Sequence, residues 1–233
     1  MKKIYTMILA LGVSGSAVAG GMNDDPFLFM LKMDKLEFRD TDNGTNLIWD
    51  AQAWAGKDLN KLWIKSEGEQ TEDGTEEGNV EVLYSRAIAP FWDLQAGWRH
   101  DFRPEPSRDW FAFGAKGLAP YLFEVDATAY VGESGRLAAA LSVEYEYLFT
   151  QKLILSPELE MNLYSKDDEE VGVGSGLSDM ELGLRLRYEI VREFAPYIGV
   201  VWWGKYGNTA DYAKAEGGDT SDVEFVAGFR LWF

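Results

Sequence analysis

The chain has 233 residues, with 39 Asp and Glu against 22 Lys and Arg, a single His and no Cys. A formal charge of −17 repels polyanions and argues against nucleic acid as a partner. The lack of Cys excludes disulfides and thiolate metal sites. The 13 Phe, 11 Tyr and 9 Trp are what the aromatic girdles of a membrane barrel demand.

Met1-Lys2-Lys3, an apolar run from Ile4 to Val13 and the small residues Ser16-Ala17-Val18-Ala19 form a secretory signal peptide over residues 1–19, with cleavage expected before Gly20. Removing Lys2 and Lys3 takes the charge from −17 to −19. No later segment supplies the roughly 18 apolar residues of a spanning helix, so any membrane crossing is made by strands. Residues 20–26 read as a short periplasmic arm carrying Met22, and residues 27–233 as a barrel.

The first strand is expected over Phe27–Arg39, where Leu36 and Phe38 alternate with Lys35, Glu37 and Arg39; its first half alternates poorly, which predicts a bulge or a later start. Eleven further extended segments follow: Thr45–Gly56, Leu59–Gln70, Asn79–Ala89, Phe91–Phe102, Asp109–Ala119, Tyr121–Gly132, Arg136–Phe149, Lys152–Tyr164, Ser178–Val191, Phe194–Tyr206 and Ser221–Phe233. The links Lys57-Asp58, Pro90, Pro120, Thr150-Gln151 and Arg192-Glu193 are tight. Those at Asp40–Gly44, Thr71–Gly78, Arg103–Arg108, Glu133–Gly135, Ser165–Leu177 and Gly207–Thr220 are mostly longer and rich in Gly or charge. Alternating short and long links, with an even strand number, fit short periplasmic turns and longer outer loops. The fold expected is all-β, a transmembrane up-and-down antiparallel β-barrel of about twelve strands. A soluble sandwich or lipocalin-like barrel would also give alternating strands, but would not require the alternation of links.

The last strand carries Val223, Phe225, Ala227, Phe229, Leu231 and Phe233 on one face and Asp222, Glu224, Gly228, Arg230 and Trp232 on the other. It resembles the C-terminal strand of bacterial outer-membrane barrels, which ends on Phe. Met180, Leu182, Leu184, Leu186, Tyr188 and Ile190 likewise oppose Asp179, Glu181, Arg185, Arg187 and Glu189. The charged rows belong inside, because an Arg on the lipid face at the bilayer midplane costs about 2–4 kcal/mol. The same rule places Asp50, Glu67, Glu124, Asp126, Glu144, Glu158 and Glu181 in the lumen, as a cation-attractive path or as parts of a salt-bridged plug.

Several stretches carry a family likeness: Trp49-Asp-Ala-Gln-Ala-Trp54, Leu62-Trp-Ile-Lys-Ser-Glu-Gly-Glu69, Tyr84 through Gly97, Gly117-Leu-Ala-Pro-Tyr-Leu-Phe-Glu-Val-Asp126, Leu153-Ile-Leu-Ser-Pro157, Gly174-Ser-Gly-Leu-Ser-Asp179, Glu181-Leu-Gly-Leu-Arg-Leu-Arg-Tyr-Glu-Ile190, and Arg192-Glu-Phe-Ala-Pro-Tyr-Ile-Gly-Val200. The chain from about Trp49 to Phe233 resembles the copper resistance protein B family of outer-membrane barrels. The resemblance implies a Gram-negative outer-membrane protein of copper homeostasis, binding copper ions or helping to export them, alongside periplasmic copper-handling proteins. Members commonly carry a Met/His-rich segment ahead of the barrel, whose thioether and imidazole ligands suit copper. Here only Met22, Met30 and Met33 stand near the start. They are candidate copper ligands at the periplasmic entrance, although Met30 and Met33 also read as ordinary packing residues in the first strand.

His100, on the outward row with Trp98, reads as an interfacial residue at the outer rim or as a metal ligand beside acids such as Asp101. As a catalytic base it would need a serine. No Gly-x-Ser-x-Gly elbow is present, so the barrel-lipase alternative finds little material and no enzyme is expected. No phosphate-loop Lys follows Gly172-Val-Gly174. The loop acids Glu72, Asp73, Glu76, Glu77, Asp167, Asp168, Glu169, Glu170, Asp211 and Glu216 read as solvated tips, or as groups that bridge lipopolysaccharide phosphates through divalent ions among the outer-membrane lipid. A general diffusion channel without a metal role remains the other functional class.

Overall fold

The computed structural model describes residues 25–41, 44–72 and 74–233. The expected signal peptide, most of the expected arm and Met22 therefore lie outside the described residues. The strands are β1 (Leu28–Thr41), β2 (Gly44–Lys57), β3 (Asn60–Gln70), β4 (Thr75–Ala89), β5 (Trp92–Arg103), β6 (Arg108–Ala119), β7 (Phe123–Gly132), β8 (Leu137–Glu144), β9 (Tyr147–Leu148), β10 (Leu153–Tyr164), β11 (Gly176–Tyr188), β12 (Phe194–Lys205) and β13 (Ser221–Trp232). Both β8 and β9 pair with β10, β9 with Ile154 and Leu155 and β8 with Glu158 onward, so they form one interrupted stave of twelve. The break at Tyr145-Glu146 lies inside the segment expected to run unbroken from Arg136 to Phe149.

Each strand pairs antiparallel with its neighbours, and the ring closes where β1 meets β13. At that seam Leu31 and Phe233 exchange backbone hydrogen bonds of 3.0 and 2.8 Å, and Leu36, Phe38 and Asp40 face Phe229, Ala227 and Phe225. No helix among the described residues is long and apolar enough to cross a membrane, and the strands make the crossing. The irregularity expected in the first strand is a bulge at Asp34, where the registers with β2 and β13 both shift. It turns Asp34 and Lys35 inward in succession.

The outer surface is apolar because alternate residues meet lipid. Phe29, Leu31, Ile64, Phe111, Phe113, Leu184 and Ile198 are exposed there, while Glu37, Glu81, Gln95, Arg185 and Glu224 on the opposite rows are buried. Exposed aromatics gather toward both ends: Phe91, Tyr121, Tyr147 and Phe233 beside the termini, and Phe38, Trp98, Phe102 and Phe225 toward the other.

Ion pairs that reach over three or four staves cross the interior. Arg185 of β11 holds Glu37 of β1 at 2.7 Å, and also Glu158 on the neighbouring β10 at 2.5 Å, and Arg39 of β1 grips Glu181 of β11 through both terminal nitrogens at 2.8 and 2.9 Å. Lys35 reaches Glu158 and Glu160 at 3.0 and 2.8 Å, Arg230 of β13 reaches Glu144 of β8 at 3.4 Å, and Lys65 of β3 reaches Asp126 of β7 at 2.7 Å. Gly183 makes room for this web, since a Cβ there would run into the Arg185 guanidinium. A hydrophobic cluster of Trp63, Leu83, Trp110, Ala112 and Tyr130 fills the side of the lumen next to β3–β7.

The outer end holds two features that the sequence reading lacked. Residues 207–220, expected as a loop, contain a helix, α1 (Gly207–Ala215), whose Thr209 is buried and accepts the Gly174 N–H at 2.8 Å. Asp168, expected at a solvated tip, is buried: Arg108 of β6 binds both its oxygens at 3.0 and 3.1 Å, and Arg136 adds a contact of 2.9 Å. The loop after β10 is thereby pulled across β8 and β7 to β6. Beside it Asp167 accepts the Ser175 N–H at 2.6 Å, which holds its carboxyl below the usual carboxylate range. That contribution is present at neutral pH and lost as pH falls through the lowered value.

Glu37 is fully buried between two guanidiniums. Glu37→Leu strands both and is expected to cost about 3–5 kcal/mol of barrel stability, read from urea unfolding in lipid vesicles; an unchanged midpoint would contradict the bracing. Arg108→Ala should raise amide exchange in residues 166–175 and leave the strands protected, whereas unaltered exchange would show that the loop is held otherwise.

Candidate functional site

The ion pairs leave part of the lumen unfilled, as a cavity of about 520 Å³. Its wall is charged in a lopsided way. Ten carboxylate side chains and eight basic ones line it. Every one of those bases has a carboxylate partner: Lys32 with Asp34, Lys35 with Glu158 and Glu160, Lys65 and Lys116 with Asp126, Arg99 with Glu81 and Asp101, Arg185 with Glu37, Arg187 with Glu146, and Arg230 with Asp34. The acids are not all matched. Asp50, Glu67, Glu77 and Glu124 line the cavity with neither a hydrogen bond nor an ion pair to another described residue.

Of the seven lumen acids expected from face assignment, Asp50, Glu67, Glu124, Asp126, Glu144 and Glu158 line this cavity. Glu181 faces inward beside it and is spent on Arg39. Asp126, Glu144 and Glu158 are spent on bases as well, so the set divides into structural braces and unmatched charge. Face assignment missed Glu77, because β4 begins at Thr75 rather than at Asn79. It also missed Asp34, which the bulge turns inward, and Glu81, although alternation with Val80 and Val82 carried that signal.

The candidate copper ligands are not brought together. Met30 lines the cavity and packs against the hydrophobic cluster of Trp63 and its neighbours. Met33 falls on the alternate row of β1, away from it. His100 lies at the far end on the outer surface, its ring stacked on Trp98 with centroids 5.5 Å apart and its Nδ1 2.8 Å from Asp109. The acid beside it is thus Asp109 and not Asp101. Asp101 points inward, where it accepts from Arg99 at 2.6 Å and from the Trp110 indole at 2.7 Å. His100 and Asp109 are cross-strand partners of β5 and β6, which explains the contact.

No group of three or more His, Asp or Glu side chains among the described residues is arranged to hold a metal ion. What the lumen offers is hard oxygen donors and a field that favours cations.

Comparison with known proteins agrees with this architecture. The family model described as copper resistance protein B precursor matches residues 27–233. The chain is 47% identical over 219 residues to copper resistance protein B of Escherichia coli, covering 94% of this chain and 74% of that protein. It is 48% identical over 200 residues to the copper resistance protein B homolog of Pseudomonas syringae pv. tomato, covering 86% and 68%. Among solved structures, the NanC porin superposes with a TM-score of 0.55 at 12% identity, over 88% of this chain and 99% of that one, a likeness of fold alone. The chain belongs to the copper resistance protein B family and is an outer-membrane β-barrel.

Proposed function

We propose that this barrel serves copper tolerance by drawing copper ions into its lumen and holding them, or passing them outward, along unmatched carboxylates. The observation that carries the reading is the imbalance of the cavity wall in a barrel of this family: all eight bases are bound to acids, while Asp50, Glu67, Glu77 and Glu124 are left over. An enclosed wall with surplus negative charge concentrates cations and repels anions. Asp126, Glu144, Glu158 and Glu181 contribute to the same field while bracing the barrel.

Met30 is the soft donor best placed for Cu(I), since it lines the cavity on the half of β1 nearest the termini. Met22 and Met33 would act only as accessory donors at the entrance, from the arm and from the other row of β1. A thioether suits Cu(I), and carboxylates suit the hydrated Cu(II) ion less selectively. Copper here is cargo. Partner proteins that deliver it from the periplasm would meet the end that carries the tight turns.

His100 supports no catalytic reading. Its contacts are Trp98 and Asp109, and no serine hydroxyl among the described residues is hydrogen-bonded to it. The non-enzymatic reading is the one that the family and the barrel favour. A general diffusion channel differs from the proposal in having no dependence on copper.

A strain lacking the gene and complemented with Asp50→Asn/Glu67→Gln/Glu124→Gln should grow less well in copper than one complemented with the wild type, at equal barrel levels in the outer membrane. His100→Ala should complement fully. Equal copper tolerance with the triple variant would overturn the carboxylate path. Met30→Leu should weaken Cu(I) binding by the refolded barrel, and an unaltered titration would remove Met30 from the reading.

A further inference from the structure

Asp50 and Glu67 stand directly opposite each other on β2 and β3, and Glu67 stands opposite Asn79 on β4. All three line the cavity. Directly opposed carboxylates repel unless something neutralises them. The two nearest lysines are spent elsewhere. Lys35, the cross-strand neighbour of Asp50, donates to Glu160, and Lys65, two residues before Glu67, donates to Asp126. A second observation points to a ligand. Asn79 is only 9% exposed, yet its carboxamide has no hydrogen-bond partner among the described residues. Because Asn79 lines the cavity, that amide is left for water or an ion in the lumen to satisfy. Glu67 is exposed to the lumen and Asp50 partly so, which leaves the pair open to an ion arriving through the cavity.

Two carboxylates and one amide oxygen in a row are hard donors without a soft or nitrogen ligand among them. They fall short of an all-protein cage for Ca²⁺, which takes six to eight oxygens. A small divalent ion of the Mg²⁺ class fits better, because it keeps several of its waters and is commonly held by one or two carboxylates. We propose that Asp50, Glu67 and Asn79 form a station for one hydrated hard divalent cation on the β2–β4 wall of the lumen. The two carboxylates supply the charge, and Asn79 accepts from the bound ion's water or coordinates the ion through its carbonyl oxygen. The ion replaces the missing lysine, so this wall is neutralised reversibly while the opposite wall is neutralised by fixed guanidiniums. The station deepens the cation-path reading and rests on it for access, but it selects a different class of ion: copper would have to displace the resident cation.

Mn²⁺ alone serves as the probe. The full-length barrel refolded in detergent and stripped with EDTA is titrated with Mn²⁺, and the free ion is followed by electron paramagnetic resonance. One Mn²⁺ per barrel is expected, competed by Mg²⁺, with affinity weakened roughly ten-fold or more in Asp50→Asn/Glu67→Gln. Glu169→Gln/Glu170→Gln, in the outer loop, should titrate like the wild type. Asn79→Leu keeps both carboxylates and should weaken binding several-fold, which preserves the test if the double variant folds poorly by heat-modified mobility. Identical isotherms for the wild type and the Asp50/Glu67 variant, or no Mn²⁺ bound by the wild type, would overturn the station. The second result would mean that a shared proton neutralises the pair. Because the assay contains no copper, a lost Mn²⁺ site with unaltered copper tolerance supports the station while sinking the copper path.

Discussion

The pairing of β1 with β13 is the constraint on which the rest depends. In hydrocarbon an unpaired strand edge leaves a row of N–H and C=O groups with no partner, each costing several kcal/mol, so a sheet in lipid must close. Here the first stave meets the last through Leu31 and Phe233 and onward to Asp40 and Phe225. Closure fixes which row of each strand is inside. Once Phe38 and Ala227 face lipid, Glu37, Arg39, Gly228 and Arg230 have nowhere to go but the lumen. Charges confined there in low dielectric must find one another, and the pairs Arg185 with Glu37 and Arg39 with Glu181 are the outcome.

The same confinement accounts for the asymmetry of the interior. Guanidiniums on β11, β13 and β1 reach far and bind in forks, so that side is packed by its own ion pairs. Lys35 of β1 is drawn across to Glu160 and Lys65 of β3 to Asp126, and the acids of β2–β4 that they leave behind face the cavity. Three of the four unmatched acids of this barrel, Asp50, Glu67 and Glu77, thus lie on β2–β4, and the fourth, Glu124, on β7. Structural bracing and the proposed cation affinity would share one origin, a shortage of positive charge.

Much of this was legible in the sequence, because period-two alternation is a local signal. Ser221–Phe233 and Ser178–Val191 announced their faces, and the poor alternation before Lys35 announced the bulge at Asp34. Six of the seven lumen acids singled out do line the cavity. What alternation cannot supply is which stave lies across the lumen. Lys116 opposite Asp126 and Arg39 beside Glu37 were within reach of a strand-by-strand reading, but Arg185, Glu158, Glu160 and Lys65, the other partners of Glu37, Lys35 and Asp126, stand three or four strands away, so the full division into spent and unmatched acids was invisible. The outer end was misread for another reason. Asp168 looks like one acid in a run of four, and its burial depends on Arg108 at the start of β6 and on Arg136 just before β8, both distant in sequence. Helix α1 is nine residues long, its hold on Gly174 through Thr209 is tertiary, and a Gly at its start gave no capping signal. The contact of His100 with Asp109 was not recoverable by counting, since a link at residues 103–108 would set Phe102 opposite Asp109, and the actual register is shifted by two residues.

The seam can be tested directly. Cysteines replacing Phe38 and Ala227, which face each other across β1 and β13, should form a disulfide on mild oxidation in isolated outer membranes, joining the two ends of the barrel. Phe38→Cys with Val223→Cys, four residues out of register on the same row, should not. Efficient bridging of the first pair alone is the result the closed ring requires. No bridge in the first pair, or equal bridging in both, would contradict it.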